Sequence, residues 1–445
     1  MSGFPATLFA GARYAILGLG RNGLPAARAL KAMGAEVVLW DDGEEARAAA
    51  RAEGFTVVDL MAGDFAFDAL ILSPGIPHRL PKAHPVAARA LENSVPVLSD
   101  AELLYQAVRK AGSRARFAGI TGTNGKSTTT ALLAHILAGA GVPVASGGNL
   151  GPAALALPLL PDAGVYVLEM SSYMLERIAT LRFSTAAMLN LTPDHLDRHG
   201  NMDGYAAVKQ AIFARQTAED TAVLGVDDAL SAAMAERLAA EGAMRVVRIS
   251  GQGRRTGAMA LPGEHNAQNA EAAAAMARAL GVSEAPIAEG IRSFPGLPHR
   301  QARVAERSGI LFINDSKATN ADAAARALGC YDRIIWIAGG IAKAGGIEAL
   351  AAYFPRVAYA ELIGRDAPVF AETLAGHGVP HHVAGRLEEA VPAAFAQARA
   401  LGVPVVLLSP ATASFDQFPG FEARGDRFAE LVSTLPVSEP QRGRA

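Results

Sequence analysis

Cysteine is almost missing from this chain: Cys330 is the only one in 445 residues. A single thiol excludes a disulfide framework and a thiolate metal site, and it fits a reducing compartment. No window offers the roughly 18 uninterrupted apolar residues that a membrane span requires. The opening "MSGFPATLFAGARYAILGLG" has no basic stretch ahead of its apolar part, and Arg13 interrupts it, so no secretory leader is read there. Excess charge of either sign is lacking as well. Lys and Arg number 41 against 43 Asp and Glu, a formal net charge of −2. That balance argues against a general nucleic-acid binder, and the basic run "RVVRISGQGRR" reads as a solvated hairpin edge. The expectation is a soluble, cytoplasmic monomer whose partners are small molecules, with no nucleic acid and no membrane.

Apolar residues, by contrast, make up 51% of the chain, enough for several packed cores. At ~150 residues per domain the length suggests about three domains. Short apolar runs alternate with alanine-rich helical stretches throughout, the signature of βαβ units and largely parallel sheets. The first block carries "YAIL" (14–17), "EVVLW" (36–40), "ALIL" (69–72) and "VPVL" (95–98). The second carries "FAGI" (117–120), "VYVLEM" (165–170) and "AAMLNL" (186–191). The third carries "ILFIN" (310–314), "IIWIA" (334–338), "YAELI" (359–363) and "VPVVLL" (403–408). The fold class is therefore α/β in three domains: a Rossmann-like N-terminal domain (1–103), a central P-loop-like parallel-sheet domain (104–299) and a C-terminal Rossmann-like domain (300–445). "LLYQAVRKAGSR" and the hinge-like "FPGLPHRQARV" separate the blocks, and the tail "VSEPQRGRA" reads as disordered.

Ligands of open α/β sheets bind beyond the carboxyl ends of strands, so the residues just past each strand matter most. After Phe117–Ile120 comes Thr121-Gly122-Thr123-Asn124-Gly125-Lys126-Ser127, then a helical pattern. The usual P-loop spelling, G-x-x-x-x-G-K-[ST], would put a glycine at Ile120; here the loop is the shorter G-x-x-G-K-S. Its glycines still let backbone N–H groups curl inward, and the helix N-terminus still adds positive potential. Lys126 would reach the β- and γ-phosphates and Ser127 would ligate Mg²⁺; the plain alternative is a glycine-rich turn with a surface lysine. Glu169 ends the next strand where alternation would bury it, and a buried carboxylate needs a partner. The third strand runs into "LNLTPDHLDRHG", which packs Asp194, His195, Asp197 and His199 into six positions. Such a loop is more often a set of helix caps than a metal site, but three strand ends in one block converge on phosphate or metal chemistry. Mg²⁺ prefers oxygen, so His195 would need carboxylates beside it.

The segments "GITGTNGKSTTT", "GGNLG", "LEMSSYMLE", "LNLTPDHLDRHG", "GEHNAQNA", "GLPHR" and "INDSKATN" together resemble the Mur ligases, ATP-dependent enzymes that build the peptidoglycan stem peptide. They occur in the family's order across all three blocks, and the shorter loop is the normal form there. The resemblance implies that Gly122, Thr123, Asn124, Gly125, Lys126, Ser127, Thr128 and Thr129 serve ATP, with Asn269, Arg300 and Asp315 also contacting the nucleotide. It implies two Mg²⁺ ions, one on Ser127 and Glu169 and a second on His195, and a Lys209 carbamylated by CO₂. Read from the residues alone, Lys209 is a helix-surface lysine, and Asn266 and Asn269 are helix caps.

In the first block, Gly18-x-Gly20-x-x-Gly23 follows a strand and Asp41-Asp42 ends the next one. That is the dinucleotide fingerprint, acid included, and alone it would point to an NAD-dependent dehydrogenase. The same backbone accepts any pyrophosphate. By resemblance, Gly20, Arg21, Asn22, Asp41, Asp42, Ser73, Gly75 and Asn149 hold a UDP-sugar substrate. In the third block, Lys317 and Lys343 could meet carboxylates, while Thr319, Ser414 and Phe421 could shape a small pocket. "NDSKATN" and "SPATASFDQFPGFEARG" most resemble the D-glutamate-adding members, which assigns Thr319, Lys343, Ser414, Phe415 and Phe421 to the incoming amino acid. "GGIAKAGGIEA" departs from the polar surroundings usual for that lysine. The implied reaction phosphorylates the carboxylate of UDP-N-acetylmuramoyl-L-alanine and then forms an amide with glutamate. A folylpolyglutamate-type ligase, an NAD dehydrogenase and a non-catalytic nucleotide switch are the rivals.

Overall fold

The computed structural model describes residues 3–436 apart from 150, 259, 343 and 344. The tail "VSEPQRGRA" and Lys343 therefore lie outside the described residues. The first sheet comprises β1 (Arg13–Leu17), β2 (Glu36–Trp40), β3 (Thr56–Val57), β4 (Ala69–Leu72) and β5 (Val97–Leu98), in the order β3-β2-β1-β4-β5. The second comprises β6 (Arg116–Thr121), β7 (Val144–Gly148), β8 (Val165–Glu169), β9 (Thr185–Met188), β10 (Thr221–Gly225) and β11 (Arg245–Ile249), in the order β11-β10-β9-β6-β8-β7. The third comprises β12 (Ala302–Arg307), β13 (Ile310–Asn314), β14 (Ile334–Gly339), β15 (Val357–Ile363), β16 (His381–Gly385) and β17 (Val405–Leu408), in the order β12-β13-β17-β14-β15-β16.

Helices cover both faces of such sheets, so central strands read as continuous apolar runs. β6 and β8 show this: Phe117, Ile120, Tyr166 and Leu168 are all fully buried. Every pairing in the first two sheets is parallel. Among the described strand pairs, the antiparallel one is β12 with β13. The basic run 245–255 does start on an edge strand, β11, but it pairs in parallel with β10 and is no hairpin. Strand order reverses between β1 and β4 in the first sheet, and between β6 and its two neighbours β8 and β9 in the second. These switch points open crevices at the carboxyl ends, where the loops Gly18–Gly23, Ser73–Ile76 and Gly122–Ser127 emerge.

By packing, the chain forms two compact units: residues 3–256 with 264–293, and 257–263 with 294–436. The first unit contains two sheets because one core runs through both. Ile16 and Leu39 of the first sheet, the helix residues Leu103, Leu104 and Val108, and Phe117 and Tyr166 of the second sheet all belong to it. The separator "LLYQAVRKAGSR" is thus mostly helix, Asp100–Lys110, capped by the Ser99 hydroxyl accepting from Glu102 N at 3.3 Å.

Glu102 shows how tightly that helix is fastened. Its buried carboxylate accepts from the backbone N–H of Ala179 (2.9 Å), Thr180 (2.9 Å) and Leu181 (3.0 Å), and from Gln106 Nε2 (2.9 Å). Burial alone would raise its pKa, but these bonds outweigh it and hold the carboxyl below the usual range. A depressed carboxyl stabilises the fold above its unfolded pKa, and the contribution disappears as pH falls through the folded value. Glu102→Gln leaves Ala179 N and Leu181 N without an acceptor and should cost about 2–4 kcal/mol at pH 7. Urea denaturation should show that gap narrowing as pH falls below the unfolded carboxyl's value of ~4.3 and closing only below the lower folded value; a gap independent of pH would contradict the assignment.

Candidate active site

The loop between β6 and the helix Lys126–Gly139 is shaped by two glycines with left-handed φ, Gly122 (+142°) and Gly125 (+87°). A Cβ on Gly125 would sit 2.2 Å from Asn269 Oδ1. The loop is pinned to the end of β9: Thr123 N donates to Asn190 O (2.9 Å), and Asn124 N donates to Asn190 Oδ1 (2.9 Å). Asn190 Nδ2 returns a bond to Asn124 O at 3.1 Å. No side chain caps the helix and no acid occupies its first turn, so its positive end is not neutralised by the chain itself. Lys126 Nζ donates to Gly122 O (3.0 Å) and Thr123 O (2.8 Å), which lays the ammonium across the loop. Ser127 is buried at the helix start; Thr128 is half-buried, whereas Thr129 is fully buried with its hydroxyl unpartnered.

Glu169 ends β8, in register with Ile120 of β6 on one side and Gly148 of β7 on the other. Its Oε1 accepts from Asn149 Nδ2 at 2.8 Å, and its Oε2 is buried with no hydrogen-bond partner. An orphaned carboxylate oxygen is costly, and a cation is the natural remedy. Among the described residues no group of three His, Cys, Asp or Glu could hold a metal unaided. That donor set suits Mg²⁺, which takes one or two protein oxygens and completes its octahedron with phosphates and water. Glu169 and the Ser127 hydroxyl fit such an ion.

Lys209 is not a helix-surface lysine. The helix Met202–Gln210 turns it inward, 2% exposed, with Nζ donating to Gly122 O (2.9 Å) and Thr121 Oγ1 (3.3 Å). Burial, reinforced by the nearby charge of Lys126, pushes its pKa well below the ordinary lysine value. Residue His195 adopts the left-handed region (φ +51°) and sits 3.4 Å from Asp194 Oδ2. Burial lowers its pKa too; Asp194 opposes that shift, and Lys126 and Lys209 add to it, which places the three basic groups in one neighbourhood. The histidine-rich loop then divides. His199 is buried and engaged elsewhere, with Nε2 2.9 Å from Ser172 Oγ. Two residues that carry no site signal in the sequence belong here. Tyr205, one turn before Lys209, is buried with its hydroxyl 3.3 Å from Thr123 Oγ1 and its ring 4.8 Å from Lys209 Nζ. Asn190 is legible only as a polar strand end.

At the first sheet's switch point, Gly23 opens the helix Gly23–Ala32; a Cβ there would lie 1.8 Å from Gly18 O. Ser73 Oγ donates to the same carbonyl at 2.8 Å, and Gly75 is exposed at the apex of its turn. Gly20 and Arg21 are exposed beside Asn22, whose Nδ2 donates to the buried Asp100 Oδ2 at 3.2 Å. Asp41 uses both oxygens on backbone, accepting from Leu19 N (2.7 Å) and Gly43 N (2.8 Å). Asp42 is exposed and meets His84 Nε2 at 3.1 Å. His84 Nδ1 accepts from Val86 N, so the ring proton is on Nε2 and points at Asp42. Asn149 belongs to the second sheet, fixed to Glu169.

The other unit gathers its candidates around β13 and β17. Asp315 Oδ1 accepts from Gln301 N (3.1 Å) and Oδ2 from Ser409 Oγ (2.8 Å); burial pushes its pKa up to about 7. Arg300 lies next to Gln301, near enough for its charge to oppose that rise. Lys317 Nζ stands 3.7 Å over the Phe421 ring, and Thr319 N bonds to Lys317 O at 2.8 Å. Phe415 is 72% exposed, while the Ser414 hydroxyl is buried without a partner. Arg424, which the motifs do not single out, is buried and donates to Ser316 Oγ (3.0 Å), Ser316 O (2.9 Å) and Thr412 O (3.1 Å). Its Nη1, on the helix Phe421–Thr434, is unpartnered, as is the Ser414 hydroxyl.

Gly125→Ala combines a forbidden φ with the clash on Asn269, and should remove nucleotide binding while leaving the other unit folded. Equilibrium binding of ATP–Mg²⁺ should weaken at least about tenfold; unaltered affinity would show that this turn does not carry the triphosphate.

Residues 120–258 match the family model described as Mur ligase middle domain. A UDP-N-acetylmuramoylalanine--D-glutamate ligase of Caulobacter vibrioides is 47% identical over 460 residues, covering 97% of this chain and 98% of that protein. The same-named protein of Rhizobium meliloti is 47% identical with equal coverage, and that of Paramagnetospirillum magneticum 48% identical over 453 residues, covering 96% and 98%. Among solved structures, the UDP-N-acetylmuramate-alanine ligase MurC of Thermotoga maritima superposes with a TM-score of 0.57 at 19% identity, covering 95% of this chain and 99% of that one. MurF of Acinetobacter baumannii gives 0.55 at 20% identity over 84% and 92%. These two share the fold; the three full-length relatives go further, and by them the chain belongs to the Mur ligase family, among its UDP-N-acetylmuramoylalanine--D-glutamate ligases.

Proposed function

We propose that this chain joins the amine of D-glutamate to the carboxylate of UDP-N-acetylmuramoyl-L-alanine at the expense of ATP, in the cytoplasmic assembly of peptidoglycan precursors. The observation that carries this reading is the half-satisfied, buried carboxylate of Glu169 on the strand adjacent to a phosphate-type loop. A carboxylate repels an incoming amine and has no leaving group. Phosphorylation by the γ-phosphoryl of ATP gives an acyl phosphate; the amine attacks its carbonyl carbon, and phosphate leaves as the amide forms. The loop Gly122–Ser127 binds the triphosphate through inward N–H groups, and Lys126 moves from the loop carbonyls to the β- and γ-oxygens. Magnesium, when bound by Ser127 and Glu169 with His195 nearby, supplies neutralisation of charge on the transferred group. Phosphoryl transfer needs little more from a protein than position and charge, each lost donor costing roughly 2.7–4 kcal/mol of barrier.

Lys209 takes its role from its depressed pKa. As a neutral amine it attacks CO₂; a C–N bond forms, the π pair of one C=O moves onto its oxygen, and the nitrogen's proton goes to water. The product is an oxygen ligand beside His195, matching the need for a carboxylate there. In the other unit, Lys317, Thr319, Ser414, Phe415, Phe421 and Lys343 receive glutamate, and Arg424 holds Ser316 and the Thr412 carbonyl. In the first unit, Asn269 acts on the nucleotide bound by the loop Gly122–Ser127. The acceptor's diphosphate and sugar dock on Gly20, Arg21, Asn22, Ser73, Gly75 and Asn149. The Asp41 carboxylate accepts from two backbone amides, which orders that loop, and keeps lone pairs for a substrate hydroxyl, with Asp42 beside it.

Phosphate release from ATP should require UDP-N-acetylmuramoyl-L-alanine, Mg²⁺ and D-glutamate together, with L-glutamate a poor substitute. Lys126→Ala should reduce turnover at least about a thousandfold. Release that proceeds without the acceptor, or with folate-type acceptors instead, would overturn the proposal.

A further inference from the structure

Arg177 is an arginine with no surface role. It lies just past the short helix Ser172–Leu175, in the segment that leaves the strand end at Glu169, and is 2% exposed. Burial lowers its pKa to about 9, with Arg198 adding to the fall and Glu176 opposing it, so it is charged at neutral pH. A buried guanidinium must spend its five N–H donors. Nη1 donates to Leu72 O (2.9 Å) and Ser73 O (3.0 Å), Nη2 donates to Ile76 O and, at 3.5 Å, to Pro74 O, and Nε lies 3.4 Å from His78 Nδ1. Four carbonyls, one at the end of β4 and three in the turn after it, thus converge on one side chain from the segment that follows β8. The bonding runs through the chain as well, because Ser99 N donates to Arg177 O at 3.0 Å.

A second arginine repeats the contact. Arg198, in the loop that carries His195, donates from Nη2 to Ile76 O (3.3 Å) and to Glu176 Oε2 (3.3 Å). Glu176 also reaches the histidine-rich loop a second time, its Oε1 lying 3.1 Å from His199 Nδ1. The anchored turn, Ser73–Ile76, keeps its apex at Gly75 exposed.

We propose that Arg177 is a positioning residue for the acceptor substrate: it fixes the Ser73–Ile76 turn against the strand end that carries Glu169, and Arg198 ties the same turn to the His195 loop. This inference rests on the reading that the UDP-linked acceptor docks on Ser73 and Gly75. An irregular turn has no strand partners for its carbonyls, and donors from elsewhere must hold it. Arg177 supplies them from the phosphoryl-transfer side, so the docked carboxylate is registered to the phosphorus it attacks. A displacement near 1 Å in such a registration can cost about a hundredfold in rate. Only a planar fork can serve carbonyls on both sides of the turn; a lysine offers one point and cannot.

The test measures calorimetric affinity for UDP-N-acetylmuramoyl-L-alanine and, separately, for ATP–Mg²⁺, in the full-length wild type, Arg177→Lys and Arg198→Lys, with melting temperature as a control for folding. Arg177→Lys should weaken acceptor binding about tenfold or more and leave the ATP–Mg²⁺ constant within about twofold. Arg198→Lys, which disturbs a single carbonyl, should shift acceptor affinity in the same direction by less. Wild-type acceptor affinity retained in Arg177→Lys would overturn this inference alone, as would equal losses for both ligands in either folded variant. Failure of the wild type to bind the acceptor would overturn the functional reading beneath it as well.

Discussion

The Lys209 amine against the Gly122 carbonyl is the contact around which the site is arranged. Placing an ammonium at 2% exposure next to a second lysine is unfavourable, and burial together with the Lys126 charge shifts the Lys209 pKa well below the ordinary lysine value. The opposite imbalance sits nearby in Glu169 Oε2, a buried acceptor with nothing to accept. A buried acceptor without a donor, beside a base of lowered pKa, is an arrangement that a bound cation suits. The loop keeps its shape through the chain's own bonds: Asn190 takes Thr123 N and Asn124 N, and Lys126 rests on Gly122 O and Thr123 O.

The rest of the first unit keeps that arrangement at a fixed distance from the neighbouring sheet. Glu102 fastens the connecting helix to residues 179–181, Arg177 fastens the Ser73–Ile76 turn, and a single apolar core runs beneath both sheets. Both fasteners are charged side chains that bond to backbone. Each therefore constrains main-chain position directly, which a packed leucine would do only loosely. The loops at the two switch points thus become parts of one rigid surface.

Much of this is legible in the residues. Apolar runs such as "ALIL" and "ILFIN" coincide with β4 and β13 because buried parallel strands have no polar face to blur their limits. Strands built on small residues escape the pattern: β7 is Val-Ala-Ser-Gly-Gly, and only its pairing with β8 makes it a strand. The phosphate loop can be read because its glycines and lysine act through local geometry. Lys209, Arg177 and Tyr205 cannot, since their roles come from tertiary burial and helix periodicity alone puts a lysine outside. Asp41 shows what spacing leaves out: it fits a ribose clamp, and in the fold its two oxygens also accept from Leu19 N and Gly43 N.

The central claim is that Lys209 is a neutral, CO₂-reactive amine at the heart of the site. Its most direct measurement is ¹³C NMR of the full-length enzyme equilibrated with ¹³C-bicarbonate near neutral pH. The account predicts one slowly exchanging carbamate resonance, present in the wild type and absent in Lys209→Arg. No carbamate signal in an enzyme that turns over its substrates, or an equal signal from the variant, would contradict it.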